Sequence, residues 1–299
     1  MRKEKFGASA LWQNNNKKFV TKKDVLDLSS FKSSKVNHKI TLWDPETNGV
    51  RYVKTLIYNL CFSLTAGDWG KLRRIKGRDL GNPISVKFNN SVVCLDYLQA
   101  LFEMKFISKK LKLNDKKILE IGAGYGRTCH AIISNYNIQS YHIVDLENCL
   151  NLSKRYLQKV LTRKQFSKIT FLSNNEMPEM QNYQFDLSIN IDSFAEMDKK
   201  VVLNYLKYIN NHCRYFYVKN PIGKYRDKSL DNHAGGKRAV ANAMKTGVLR
   251  HIVDINNNHS IKQSSEKFVR AYRPGKSWRH LSDSWARPWS YYWQAIFQK

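Results

Sequence analysis

Nowhere in the 299 residues do about 18 apolar residues follow one another, so no membrane-spanning helix is expected. The basic N-terminal stretch is not followed by an apolar segment either, which argues against a secretory signal. Cysteine is scarce. Cys61, Cys94, Cys129, Cys149 and Cys213 are widely spaced and form no CxxC pair. A zinc ribbon or disulfide framework is therefore not expected, and a reducing, cytoplasmic setting fits best. Acidic residues are also in short supply: 24 stand against 51 lysines and arginines, a net charge of +27. The deficit is uneven, since residues 115–213 carry only +2 while 214–299 carry +12. Part of the total reflects the abundance of Lys and Asn throughout. The asymmetry points to a phosphate-bearing substrate, anionic lipid or nucleic acid as partner. Oligomeric state is not encoded in any of these features.

What is present suffices for a core, with hydrophobic residues at 42% and no internal repeat. Residues 1–40 are polar and weakly periodic and read as a flexible basic arm. Residues 41–112 read as a helical and irregular N-terminal cap. Leu95, Leu98, Leu101 and Phe106 mark one face of a helix within 92–111. From 113 to 299, strands and helices alternate. Strands are expected at 117–121, 141–146, 168–172, 186–191, 215–218 and 291–297, and helices at 127–135, 150–162 and 199–210. The fold class is α/β, with a doubly wound, mostly parallel sheet. The basic, aromatic stretch at about 219–290 reads as a substrate-binding insertion of this domain.

The segment ILEIGAGYGR, residues 118–127, is the most informative. A strand ending in Glu120 runs into Gly122, Ala123, Gly124, Tyr125 and Gly126 and then a helix. Residues without a Cβ let the backbone approach a ligand at a helix N-terminus. A dinucleotide fingerprint needs glycine at the sixth position, and Arg127 stands there. The E-x-G-x-G-x-G spacing instead resembles the first motif of class I S-adenosylmethionine-dependent methyltransferases. That resemblance implies a Rossmann-like seven-stranded sheet and places Glu120 near the cofactor's amino group. Asp145, ending the second strand beside Leu146, would accept hydrogen bonds from the ribose hydroxyls; its alternative role is a helix cap. Asn174 would meet the adenine edge, and Asn190 lies at the end of the fourth strand.

No Pro-Pro pair follows the fourth strand, which disfavours methylation of exocyclic base amines or glutamine. The Pro-Cys and Thr-Cys pairs of cytosine C5 chemistry are missing too, leaving O-methylation. Together with residues 118–127, the segments at 81–101, 141–157 and 189–197 resemble the sugar O-methyltransferase family. The resemblance implies transfer to a sugar hydroxyl, on a nucleotide- or lipid-linked glycan of bacterial surface polysaccharide biosynthesis. The base is then sought by position among Asp192, Glu196 and His233. His130 suits packing. His280, Asp283, Trp278, Trp285, Trp289 and Trp293 form a polar-aromatic cluster, read as core before sugar platform. No metal site is predicted, although Asp192 and Glu196 could hold a divalent ion. Two rival readings remain. An RNA 2′-O-methyltransferase would use Asp192 and Lys219 but lacks a glutamate near the last strands, Glu266 being the only late one. A non-catalytic scaffold would bind the cofactor and recruit a partner.

Overall fold

The computed structural model describes residues 8–18, 26, 32, 44–226 and 236–299. It divides into two compact units: 1–63 with 82–94, and 64–81 with 95–299. The smaller unit holds helices α1 (Ala10–Lys18) and α2 (Pro45–Phe62) and the hairpin β1 (Ser85–Phe88) and β2 (Ser91–Cys94). Asn89 and Asn90 turn the hairpin at φ of 45° and 60°, the left-handed pair a two-residue turn requires. Tyr58, Phe62 and Phe88 pack edge to face with centroids 5.0–5.4 Å apart. The expected helix over 92–111 is therefore shorter. Val92 and Val93 belong to β2, and the helix, α4, runs Leu95–Ser108 with the larger unit.

The larger unit contains α3 (Ala66–Arg74), α4, β3 (Lys117–Ile121), α5 (Arg127–Asn135), β4 (Ser140–Asp145), α6 (Glu147–Val160) and α7 (Arg163–Phe166). After these come β5 (Ile169–Ser173), β6 (Phe185–Ile191), α8 (Lys199–His212), β7 (Cys213–Pro221), α9 (Gly236–Ala243), α10 (Asn258–Tyr272), β8 (Arg279–Trp285) and β9 (Tyr292–Gln298). The seven strands lie in the order β5-β4-β3-β6-β7-β9-β8. β3 to β7 are parallel, while β9 runs antiparallel to both β7 and β8. This is the doubly wound, Rossmann-like sheet the sequence predicts. The stretch read as insertion is more regular than expected: α10 and β8 lie within it, and β8 completes the sheet edge.

Strand alternation distributes the side chains. Leu119 and Ile121 join the core built by Val202, Leu206 and Ile209 of α8 and by Phe268 and Tyr272 of α10. Trp278 and Trp293 are buried in the same core, so half of the tryptophan cluster is packing. Glu120 points to the other face. The chain winds outward from β3 to β5, then returns to β6 and β7 on the other side. A crevice opens at the carboxyl ends of β3 and β6, where sheets of this kind bind ligands.

Candidate functional site

Register brings the site together. Ile121 pairs with Val144 of β4 and Asn190 of β6, and Ile191 pairs with Lys219 of β7. The turn after β3, Asp145, Asp192 and Lys219 thus end in one row. Gly122, Gly124 and Gly126 have φ of 76°, 59° and 90°. A Cβ on Gly122 would run into the Ser193 side chain, and one on Gly126 would come within 2.8 Å of Leu157 Cδ1. A Cβ on Gly124 would meet nothing within 4 Å, so this backbone is bare toward the crevice. Asp145 clasps the loop: Gly124 N donates to Oδ2 at 2.8 Å and Leu146 N to Oδ1 at 2.7 Å.

Two cavities meet here. The first, of about 500 Å³, is lined by Gly122, Gly124, Asp145, Leu146, Cys149, Asn174, Ser193, Glu196 and Tyr205, among others. The second, of about 250 Å³, is lined by Glu120, Ala123, Arg127, Thr128, Lys219, Gln99, Trp289 and Tyr292. Gly122, Gly124, Ile191 and Asp192 line both. A further hollow of about 520 Å³ beyond Asn174 and Tyr205 includes neither the glycine loop nor Asp145 among its lining residues.

Asp192 sits on the shared wall with φ of 70°, in a region that favours glycine. Its amide donates to Lys219 O at 2.8 Å, and its carbonyl accepts from Ala195 N at 3.0 Å. Tyr292 OH donates to Oδ1 at 2.7 Å. Burial, reinforced by the Asp192 charge, pushes the Tyr292 hydroxyl well up and keeps it a donor. Glu196 is raised from its ordinary value by burial and by Asp192, with Lys224 opposing. Glu120 is wholly buried and accepts from Tyr141 OH at 2.7 Å. Burial outweighs that bond and pushes its carboxyl up to about 7.

A second charged group supports the smaller cavity. Lys219 is 2% exposed and donates to Glu103 Oε1 at 2.8 Å and Gln99 Oε1 at 3.0 Å. Arg127 pairs with Glu103 at 2.9 Å. Burial would raise Glu103, but the charges of Arg127 and Lys219 together hold it below its ordinary value. Trp289 Nε1 also donates to Gln99 Oε1, at 3.1 Å, while the residue remains 39% exposed.

Most of the residues singled out from sequence therefore converge. Glu120, Gly122, Ala123, Gly124, Asp145, Leu146, Asn174, Asp192 and Glu196 line one or both cavities. Three of the remaining predicted ones play other parts. Asn190 is wholly buried below the loop, its amide donating to Ile121 O at 3.0 Å and Ser193 Oγ at 2.7 Å. Tyr125 turns to α4, donating to Asp96 at 3.0 Å. Gly126 packs on α6 through Leu157. His233 lies outside the described residues. His130 is buried against Tyr97, its ring Nδ1 2.7 Å from the tyrosine hydroxyl, in keeping with packing. His280 and Asp283 pair at 3.1 Å on edge strand β8 and line neither cavity. No group of three or more His, Cys, Asp or Glu is arranged to hold a metal among the described residues. Sequence reasoning did not single out Gln99, Glu103 or Tyr292. The available signal was two polar residues four apart on an otherwise apolar helix face.

No protein-family model matches this chain, and no curated protein matches it in sequence. Among solved structures it is similar to the methyltransferase domain of bacterial CtHen1, at 15% identity and TM-score 0.43, covering 68% of this chain and 100% of that domain. It is similar to a SAM-dependent methyltransferase from Aquifex aeolicus, at 12% identity and TM-score 0.41, over 68% of this chain and 92% of the other. A third is the mitomycin 7-O-methyltransferase MmcR, at 10% identity and TM-score 0.42, over 67% of this chain and 54% of that one. At such identity none carries its activity or substrate over to this chain.

Proposed function

We propose that this chain is an S-adenosylmethionine-dependent O-methyltransferase. Its acceptor is a sugar hydroxyl on a phosphate-bearing, nucleotide- or lipid-linked glycan of the kind used to build bacterial surface polysaccharide. The observation that carries this reading is the shared wall at Asp192, with the glycine loop and Asp145 on one side and a cationic, aromatic chamber on the other. The donor set suits the cofactor. Asp145 offers a carboxylate for ribose hydroxyls, Gly122 and Gly124 offer bare backbone, and the buried Glu120 offers a partner for an ammonium group. When bound, the cofactor supplies a methyl group activated on a sulfonium. The chain's own part is to orient the acceptor and take its proton.

Asp192 suits that task, because Tyr292 occupies Oδ1 while Oδ2 accepts no hydrogen bond among the described residues. Glu196 is the nearest alternative base. Trp289 and Tyr292 present aromatic faces for a sugar ring, and Lys219 and Arg127 supply positive charge. A second reading, an RNA 2′-hydroxyl acceptor, gains from one observation. Lys219, near the end of β7, does have a carboxylate partner, Glu103 of α4 in place of a late glutamate. Calorimetric titration of S-adenosylmethionine into the wild type and Asp145→Ala tests the core of the proposal. Binding that weakens about tenfold in the variant, roughly 1.4 kcal/mol, supports it. No binding to the folded wild type sinks it. Methyl transfer from labelled cofactor to nucleotide sugars or to RNA then separates the two acceptors.

A further inference from the structure

Between the end of β7 and the start of α10 cations predominate. Among the described residues there, Arg226, Lys237, Arg238, Lys245 and Arg250 are all exposed, against the single exposed carboxylate of Asp254. α9 buries none of its residues. By helical period, Ala239, Val240, Ala243 and Met244 share one side, Arg238 stands opposite them, and Lys237 flanks the edge of the apolar side one turn before Val240. Met244 continues the helix, its amide bonding to Val240 O at 3.0 Å.

The apolar side borders a groove of about 150 Å³ whose other wall is Pro221, Gly223, Lys224, Tyr225 and Tyr291. Tyr291 lies 5.0 Å, ring to ring, from Tyr292, which lines the smaller cavity. Ile252 and Trp289 add exposed apolar surface nearby in the chain, at 46% and 39%. Two carboxylates act on this face from other elements, and both line the larger cavity: Glu196 opposes the lowering of Lys224, and Asp192 helps to raise the Tyr291 hydroxyl.

We propose that this face docks on the surface of an anionic lipid bilayer. The apolar side of α9 and the tyrosine groove enter the upper acyl region, and the exposed cations meet headgroup phosphates. RNA would satisfy the cations but offer no apolar partner to Val240, Ala243 and Met244, which the fold leaves partly or fully exposed, so lipid is the better complement. Joined to the reading of methyl transfer, which it rests on only for this step, the proposal selects a lipid-linked over a nucleotide-linked acceptor. Docking itself is measurable without cofactor or acceptor.

The test is sedimentation of the full chain with vesicles of phosphatidylglycerol and phosphatidylcholine, and with phosphatidylcholine alone, at physiological ionic strength. Binding to the anionic vesicles alone is expected. It should weaken at least tenfold in Lys237→Glu/Arg238→Glu, and severalfold in Val240→Asn/Met244→Gln, where every charge is kept. Circular dichroism and the cofactor titration show whether each variant is folded. Absence of binding to anionic vesicles overturns the proposal, as does equal binding by wild type and both variants. Vesicle binding unaffected by Val240→Asn/Met244→Gln, with single-stranded RNA bound more tightly and lost in the charge variant, would make the face a nucleic-acid surface. A failed cofactor titration with intact vesicle binding would remove the methyltransferase reading and leave the docking surface standing.

Discussion

Asp192 holds a backbone conformation that costs a non-glycine residue about 1–3 kcal/mol, and it does so where the two cavities meet. A turn alone would be better served by glycine, so the carboxylate is what the position retains. Asp192→Gly is expected to melt no lower than the wild type in a thermal scan, while Asp192→Asn, once an acceptor is identified, should lose about a hundredfold or more in transfer rate at near-unchanged cofactor affinity. Glu120 makes a second prediction. Its carboxyl titrates near 7 in the fold and at its ordinary, lower value in the unfolded chain. The proton it keeps when folded favours the cofactor-free protein fully below about pH 4.5. That contribution, at most about 3 kcal/mol, is lost as pH rises through 7. Denaturant titration of the wild type across this window should show the decline, and Glu120→Gln should flatten it. Cofactor affinity should move the opposite way in the wild type, rising to about pH 7 as Glu120 ionises to meet an ammonium group.

At the scale of elements, Glu103 joins α4 to α5 and β7 through Arg127 and Lys219. Removing one partner of a buried ion group leaves uncompensated charge, so Glu103→Ala should destabilise by about 3–5 kcal/mol in denaturant unfolding. Because Glu103 is held below its ordinary value, its stabilisation is present above about pH 4.5 and lost as pH falls through the lowered value. Gly126 and Leu157 join α5 to α6 in the same manner by shape. Gly126→Ala should cost more than 1 kcal/mol, and the double variant with Leu157→Ala should unfold less readily than the two separate losses imply.

Elements also show what the sequence could disclose. Buried parallel strands are apolar runs, so β3, β4, β6 and β7 were legible from residues such as Ile118, Val144, Ile189 and Val218. β8 was not, because RHLSDSW is a polar edge strand without a core-facing apolar stripe. The β1–β2 hairpin was hidden because Val92 and Val93 run without a break into the apolar face of α4. The cofactor half of the site was readable because glycine spacing and a strand-end acid are local signals. The acceptor half was not, because Gln99, Lys219, Trp289 and Tyr292 meet only through the sheet order.

Taken whole, the molecule places every cavity-lining residue in the unit formed by 64–81 and 95–299. A fragment comprising 64–299 is expected to bind S-adenosylmethionine within about threefold of the full chain by calorimetry; loss of binding in a folded fragment would show that the site needs residues 1–63. With a net charge of +27 the whole chain should also collect polyanions without regard to sequence, and rising salt should release them. No described helix is long and apolar enough to cross a membrane.

The missing Cβ of Gly122 has a longer reach than conformation. The space it leaves is filled by the side chain of Ser193, from a turn 71 positions later in the chain, and Asn190 holds that serine by a hydrogen bond. Neither position can vary alone: a methyl group at 122 demands a glycine at 193, and the asparagine amide then loses one acceptor. In lineages descended from this chain the two sites should drift as a linked pair, and a sequence carrying alanine at the first should carry glycine at the second.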